Sequence, residues 1–199
     1  MVRSQRWLAR ALAACVAALA AWVGTTVARA QDSTLPAQPA RYLTQLSSGL
    51  PLRLNLHEDL GQDRVAPAFA QVGLGYLLPA VARYHHGFAL SAAMNLSRDG
   101  GYAEPVYAGE QLVLTPSYLG SVDVYRDVPL YAHLGLPILV GAGGRSFGLE
   151  VGAALGYRLL AGAGLFAQLD LDSFVGSRAT LDLIASVSLG VVLEYEVLP

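Results

Sequence analysis

The stretch from Leu181 to Tyr195 alternates between apolar side chains and mostly small or polar ones. Every odd-numbered residue in it is apolar. Because side chains of a β-strand point alternately to opposite faces, this pattern predicts one strand with a continuous apolar face. The stretch is far longer than the about five or six residues typical of strands in globular proteins. A strand of this length with one apolar face is typical of a wall that faces lipid.

Seven further segments repeat the alternation and give an all-β chain. Most of the eight reach the about 9–11 residues that a tilted strand needs to cross a membrane. No segment after residue 30 reaches the about 18 consecutive apolar residues of a spanning helix. The predicted strands cover about 50–57, 66–78, 84–96, 110–124, 128–140, 147–159, 163–172 and 181–197.

The connections between these segments alternate between long and short. The longest, at 58–65 and 97–109, fall on one side of the chain path, and the tight ones at 125–127 and 160–162 fall on the other. Membrane barrels have long loops at one end and short turns at the other. We therefore predict an eight-stranded antiparallel up-and-down transmembrane β-barrel, with both chain ends on the short-turn side. Pro116 and Pro137 lie inside predicted strands, where we expect β-bulges.

The N-terminus has the pattern of an export signal. Basic residues precede an apolar run at 11–23, and Ala28-Arg29-Ala30 has the form of a cleavage site before Gln31. We predict a signal peptide at 1–30, a flexible periplasmic segment at 31–48 and an outer-membrane β-barrel domain at 49–199.

Composition after removal of the signal excludes several classes of function. The only cysteine, Cys15, lies in the signal, so the mature chain can form no disulfide or thiolate metal site. The signal also carries four of the 13 arginines, and its loss changes the net charge from −2 to −6. An acidic chain is an unlikely nucleic-acid partner, and nothing in the pattern indicates a cofactor.

The polar faces of the predicted strands carry the charges that matter for the barrel interior. An eight-stranded barrel is about wide enough for side chains to fill, and an isolated buried charge is costly. We expect a lumen charge network in which Arg53 and Arg158 are the cationic centres. Its members are Arg53, Glu150, Arg158, Asp170, Asp172, Asp182 and Glu194.

The last strand also contains the spacing polar, any, Gly, any, any, hydrophobic, any, aromatic at Ser188, Gly190, Leu193 and Tyr195. This resembles the C-terminal insertion signal of bacterial outer-membrane barrels, although the chain runs on to Pro199. Together with the export signal and the alternation of long and short connections, this motif makes residues 50–197 similar to the small barrels typified by the OmpA transmembrane domain and OmpX. The resemblance implies insertion by the barrel-assembly machinery into outer-membrane lipid. A periplasmic aromatic girdle is expected at Tyr76, Tyr84, Tyr157 and Tyr195.

Three functions fit this pattern. The first is a structural or envelope-interaction role with the lumen plugged by polar and charged side chains. The second is a narrow cation-preferring diffusion channel, and the third is a secreted lipocalin-like barrel with its apolar face around a small ligand. An enzyme is not expected, because no mature histidine starts the His-x-Ser motif of barrel deacylases. A metal site is not expected either, because His85 and His86 would point to opposite faces of one strand.

Overall fold

The computed structural model describes residues 38–54, 64–65, 68–80, 84–96, 112–125, 127–141, 144–160, 162–175 and 181–197. All regular elements in these ranges are β-strands. They are β1 (Arg41–Leu54), β2 (Arg64–Val65), β3 (Phe69–Leu77), β4 (Tyr84–Asn95), β5 (Leu112–Tyr125), β6 (Val128–Gly135), β7 (Ile138–Gly141), β8 (Gly144–Leu160), β9 (Ala163–Val175) and β10 (Leu181–Glu196). No helix in the described ranges is long and apolar enough to cross a membrane.

The strands close into an antiparallel barrel. Neighbours along the wall follow chain order, and β1 pairs with β10 over its whole length, from Arg41 opposite Glu196 to Leu54 opposite Leu183. β6 and β7 form one line between β5 and β8, and the two-residue β2 only extends the edge of β1. The wall thus has eight strands, which confirms the predicted fold class.

The barrel begins earlier than the sequence pattern indicated. β1 starts at Arg41, so residues 41–48 belong to the wall and not to a flexible leader. Alternation is weak there because Thr44 and Ser48 interrupt the apolar face. Backbone pairing also extends beyond the start of β1, since Gln38 and Ala80 exchange hydrogen bonds of 3.0 and 3.1 Å.

The two strand prolines cause no bulge, contrary to expectation. Pro116 pairs with Leu90 inside β5, and Pro137 occupies the interruption between β6 and β7. Pairing resumes in the same register on both sides of each proline. Each proline carbonyl still accepts a hydrogen bond, from the amide of Leu136 at 3.0 Å and from that of Gly148 at 2.9 Å. The strands therefore tolerate the missing backbone N–H of each proline without the extra residue of a β-bulge. The register shifts that occur lie instead beside the tight turns, at Asp123/Tyr125 and Arg158/Leu160.

The outer surface of the barrel is apolar. Large apolar side chains at alternate strand positions point outward and are 38–75% exposed, among them Leu74, Phe88, Leu155, Leu169 and Leu189. A soluble barrel would place such residues inside and charges outside. The apolar faces therefore point away from the lumen, opposite to a lipocalin-like arrangement and as a lipid-facing barrel requires.

Candidate functional site

The lumen is built in layers that can be followed along β8. Its inward side chains run from Glu150 through Ala154 to Arg158, and each belongs to a different layer. Near the chain termini lies a group we call the basal ion-pair cluster, formed by Arg41, Asp123, Arg158 and Glu194. Above it is an apolar plug, and above the plug an acidic chamber.

The basal ion-pair cluster joins four strands across the lumen. Arg158 contacts Asp123 (Nη1 to Oδ1, 2.9 Å) and Glu194 (Nε to Oε2, 2.9 Å). Arg41 lies 3.8 Å from Glu194 and 3.9 Å from Asp123. Two guanidinium groups thus face two carboxylates, so the layer is close to electrically neutral. Charge-assisted bonds of this kind are roughly twice as strong as neutral ones.

Residues next to this cluster fix it to the wall and to the N-terminal segment. The hydroxyl of Tyr131, which is 1% exposed, donates to Glu194. Gln38 accepts from Arg41 at 3.0 Å, and its Oε1 lies 2.7 Å from Nε2 of His85. The segment before β1 is therefore tied through polar side chains to the end of the barrel that holds the basal ion-pair cluster.

The apolar plug separates the two polar layers. It consists of side chains between 1% and 5% exposed that come from seven strands and pack as one cluster. Packed apolar side chains of this kind offer an ion no replacement for its hydration shell. Its members are Leu43, Leu77, Leu119, Tyr131, Ala154, Phe166 and Val192.

The acidic chamber is centred on one histidine. Nε2 of His133 lies 2.9 Å from Oε1 of Glu150 and 3.4 Å from Oδ1 of Asp170. Gln168 donates to both oxygens of Asp170 at 3.0 and 2.8 Å, and Thr115 donates to Glu150 at 3.4 Å. Two of the chamber's carboxylates are thus held by neutral or imidazole donors.

Gly152 makes this arrangement sterically feasible. It is the cross-strand neighbour of both His133 and Asp170. A Cβ atom there would lie 2.1 Å from Asp170 Oδ1 and 2.1 Å from His133 Cε1. The missing side chain therefore provides the space in which the imidazole and the carboxylate meet.

Asp172 is the third carboxylate of the chamber and has a different environment. It lies opposite Glu150 in the β8–β9 register. Its Oδ1 is shielded from solvent and has no hydrogen-bond partner. The chamber thus holds three carboxyl groups and one imidazole among the described side chains.

A cavity of about 90 Å³ lies over the chamber. Its lower lining is polar and includes Glu150, Asp170 and Asp172, and its upper lining includes Val113, Leu139, Phe174 and Ile184. Leu139, Phe174 and Ile184 form a second packed apolar cluster. The cavity therefore has an acidic floor and apolar walls, and it is large enough to hold several water molecules.

The predicted lumen residues fall into two separate groups. Arg158 and Glu194 meet in the basal ion-pair cluster, whereas Glu150, Asp170 and Asp172 lie in the acidic chamber beyond the plug. The side chains of Arg53 and Asp182 lie outside the described residues. The sequence-based set lacked Arg41, Asp123 and His133. Asp123 and His133 could have been found from their inward strand positions, but Arg41 lay outside the predicted first strand.

The predicted girdle tyrosines lie near the barrel end at which β1 begins and β10 ends. Tyr42 is the register partner of both Tyr76 and Tyr195, and the rings of Tyr42 and Tyr76 are 4.9 Å apart. The hydroxyls of Tyr84 and Tyr118 are 3.2 Å apart. Tyr157 is 56% exposed on the outer wall. Tyr84 itself is only 7% exposed, and Tyr42 and Tyr118, which the sequence did not single out, lie beside the predicted tyrosines.

The remaining sequence motifs have clear positions in the wall. Ser188 and Gly190 of the predicted insertion signal sit on inward positions of β10, and Leu193 and Tyr195 are on its outer face. His85 is 1% exposed and inward, whereas His86 is exposed. Within the described ranges, no three histidine, cysteine or acidic residues are placed to hold a metal ion.

Two solved structures with the same architecture are similar to this chain. Ail, the attachment invasion locus protein of Yersinia pestis, has a TM-score of 0.51 at 12% identity, covering 79% of this chain and 99% of Ail. Neisserial surface protein A (NspA) has a TM-score of 0.52 at 16% identity, covering 77% and 97%. The chain thus has the fold of small outer-membrane β-barrels. No protein-family model matches the chain, and no curated protein sequence matches it.

Proposed function

We propose that this chain is an integral outer-membrane protein with a structural or envelope-interaction role and a lumen closed to ion flow. The observation that supports it best is the apolar plug inside a barrel whose outer wall is apolar. An ion passing the plug would lose its hydration among side chains that offer no replacement ligands, which costs several kcal/mol.

The proposal includes the route to the membrane. The signal at 1–30 would direct export, and the motif at Ser188, Gly190, Leu193 and Tyr195 would be read by the barrel-assembly machinery. The outward tyrosines would lie at the periplasmic lipid interface, where aromatic side chains of barrels are enriched. The long connections at 58–65 and 97–109, of which the structure describes only residues 64–65, would supply the surface for envelope contacts.

The first test is fractionation of cells that express the full-length chain, followed by gel electrophoresis of the membrane pellet with and without boiling. We expect outer-membrane localisation and a faster-migrating unboiled band, because folded barrels resist detergent at room temperature. A soluble periplasmic product would overturn the proposal.

The second test separates the closed barrel from a diffusion channel. We expect the purified protein to give no conductance steps in planar bilayers. The acidic chamber would favour cations if a path existed, so steady cation-selective conductance of the unmodified protein would support the channel instead.

A further inference from the structure

We infer that the cavity over the acidic chamber is a blind binding pocket for a small organic monocation with an apolar body, such as a short alkylammonium ion. This inference concerns the lumen alone and goes beyond the proposed envelope role. It rests on three features of the cavity: its charge, its two-part lining and its closed lower end.

Acidic side chains outnumber basic ones among the described residues of the chamber, which hold three carboxyl groups and one imidazole. Among the described side chains, Glu150 and Asp170 are bonded to His133, Thr115 and Gln168. Asp172 faces Glu150 and keeps one oxygen that is shielded from water and has no hydrogen-bond partner. A buried polar atom without a partner costs free energy that an added donor recovers. An ammonium group would supply such a donor and would be attracted by the acidic side chains of the chamber.

The walls of the cavity select against a bare metal ion. Phe174 is two residues beyond Asp172 on the same face of β9, and Ile184 is the register partner of Asp172 on β10. Phe174 and Ile184 belong to the upper apolar cluster and line the cavity. A cation held at Asp172 would therefore place an attached carbon chain against Phe174 and Ile184, burying apolar surface. Inorganic ions would gain nothing from these walls.

The lower end of the cavity is closed. The apolar plug begins below His133 and Asp170. Ala154 is the next inward position after Gly152 on β8, and Phe166 is two inward positions from Asp170 on β9. A ligand would thus enter and leave from the same side. The lumen would act as a receptor pocket and not as a passage.

The test uses the full chain purified into phospholipid nanodiscs, with binding followed by NMR line broadening of the ligand. The probes are ammonium, ethylammonium, n-butylammonium and uncharged n-butanol, and empty nanodiscs serve as the blank. We expect n-butylammonium to bind at least tenfold more tightly than either ammonium or n-butanol. Asp172→Asn should weaken n-butylammonium binding at least tenfold. Phe174→Ala should remove most of the affinity that the longer alkyl chain adds.

The matched control is Glu196→Gln, which makes the same type of carboxylate-to-amide change at a side chain 58% exposed on the rim. It should leave n-butylammonium affinity unchanged. Ile184→Phe adds volume to the cavity without changing its charge and should block binding, so the inference remains testable if Asp172→Asn fails to fold.

Several results would overturn the inference. Equal affinity for ammonium and n-butylammonium would show a simple cation site, and equal affinity for n-butanol would show an apolar pocket that ignores charge. Binding that survives both Asp172→Asn and Ile184→Phe would place the ligand elsewhere. Absence of protein-dependent broadening with every probe would show that the cavity takes no such ligand.

Discussion

Arg158 and Glu194 lie on strands that do not pair with each other, yet two bonds of 2.9 and 3.4 Å join their side chains. The strand between them, β9, presents Gly164 opposite Arg158 and opposite Val192, two residues before Glu194. A residue without a side chain at this position lets the guanidinium group reach over β9. The contact ties three strands together at the end of the barrel where β1 begins and β10 ends.

Removing Arg158 should therefore destabilise the barrel strongly. In Arg158→Ala the carboxylates of Asp123 and Glu194 lose their 2.9 Å ion pairs, which leaves the longer contacts with Arg41 and the Tyr131 hydroxyl on Glu194. Breaking a buried ion pair costs about 3 kcal/mol or more. We expect a lower free energy of unfolding in urea and a lower temperature for loss of the fast-migrating unboiled band.

A double-mutant cycle checks whether the pair itself is responsible. Glu194→Ala alone should also destabilise, and the combined variant should lose clearly less than the sum of the two, because residues in contact couple by about 0.5–3 kcal/mol. Additive losses, or an Arg158→Ala variant as stable as the parent, would contradict a stabilising role for the ion pair.

Gly152 should tolerate no side chain. In Gly152→Ala the new Cβ atom would meet Asp170 and His133 at 2.1 Å, so the acidic chamber must open or the strands must shift. Overpacking of this kind typically costs about 1–3 kcal/mol. We expect a clear fall in thermal stability measured by circular dichroism in lipid.

The control for this effect is Gly73→Ala, another inward glycine of the wall. Its Cβ would approach nothing closer than the end of the flexible Gln45 side chain, at 3.3 Å. That variant should lose little stability. If both substitutions cost the same, the effect would come from glycine replacement in strands generally and not from the chamber.

The wall of the barrel could be predicted from the sequence because strand periodicity reports directly which face a residue occupies. The inward positions of Glu150 and Arg158 on β8 follow from the two-residue period of a strand. Their separation also follows, since eight residues at about 3.3 Å per residue span about 26 Å, and this distance already prevents both from joining one network. The sequence-based hypothesis considered which face of a strand each residue occupies, but not how far along the barrel axis it lies.

Partnerships across the lumen could not be obtained in this way. The contact between Arg158 and Glu194 depends on the register of β8, β9 and β10, which is set by the turns and by closure of the barrel. Arg41 was missed for a different reason: polar residues on the outer face of early β1 weaken the alternation there. Closure against β10 supplies the backbone hydrogen bonds that extend that strand despite its sequence.

Opening the apolar plug should create conductance. Phe166→Ala combined with Leu119→Ala removes two large side chains from the layer that separates the chamber from the basal cluster. We expect discrete current steps in planar bilayers where the parent protein gives none. The reversal potential in a salt gradient should show cation preference, because carboxylates outnumber basic groups in the described chamber.

Leu189→Ala is the control for that experiment, since Leu189 is 67% exposed on the outer wall. It should change neither conductance nor mobility on unboiled gels. Current steps of equal size in the parent, the control and the plug variant would show that the plug does not close the lumen.

Gly190 and Tyr195 belong to one predicted insertion motif, but they lie on opposite faces of β10. A Cβ atom at Gly190 would lie 2.4 Å from the carbonyl oxygen of Leu46 and 2.8 Å from the Phe166 ring. Tyr195 points outward and is 55% exposed. Gly190→Ala should therefore impair folding itself, whereas Tyr195→Ala should impair mainly recognition by the assembly machinery.

Refolding from urea into pure lipid vesicles separates the two effects, because no assembly machinery is present. We expect Tyr195→Ala to refold with a yield close to that of the parent chain but to reach the outer membrane poorly in cells. Gly190→Ala should refold poorly in both settings, since the clash with the β1 backbone does not depend on the route of insertion. If Tyr195→Ala inserted normally in cells, the motif would not act as an insertion signal in this chain, and Gly190 would be required for packing alone.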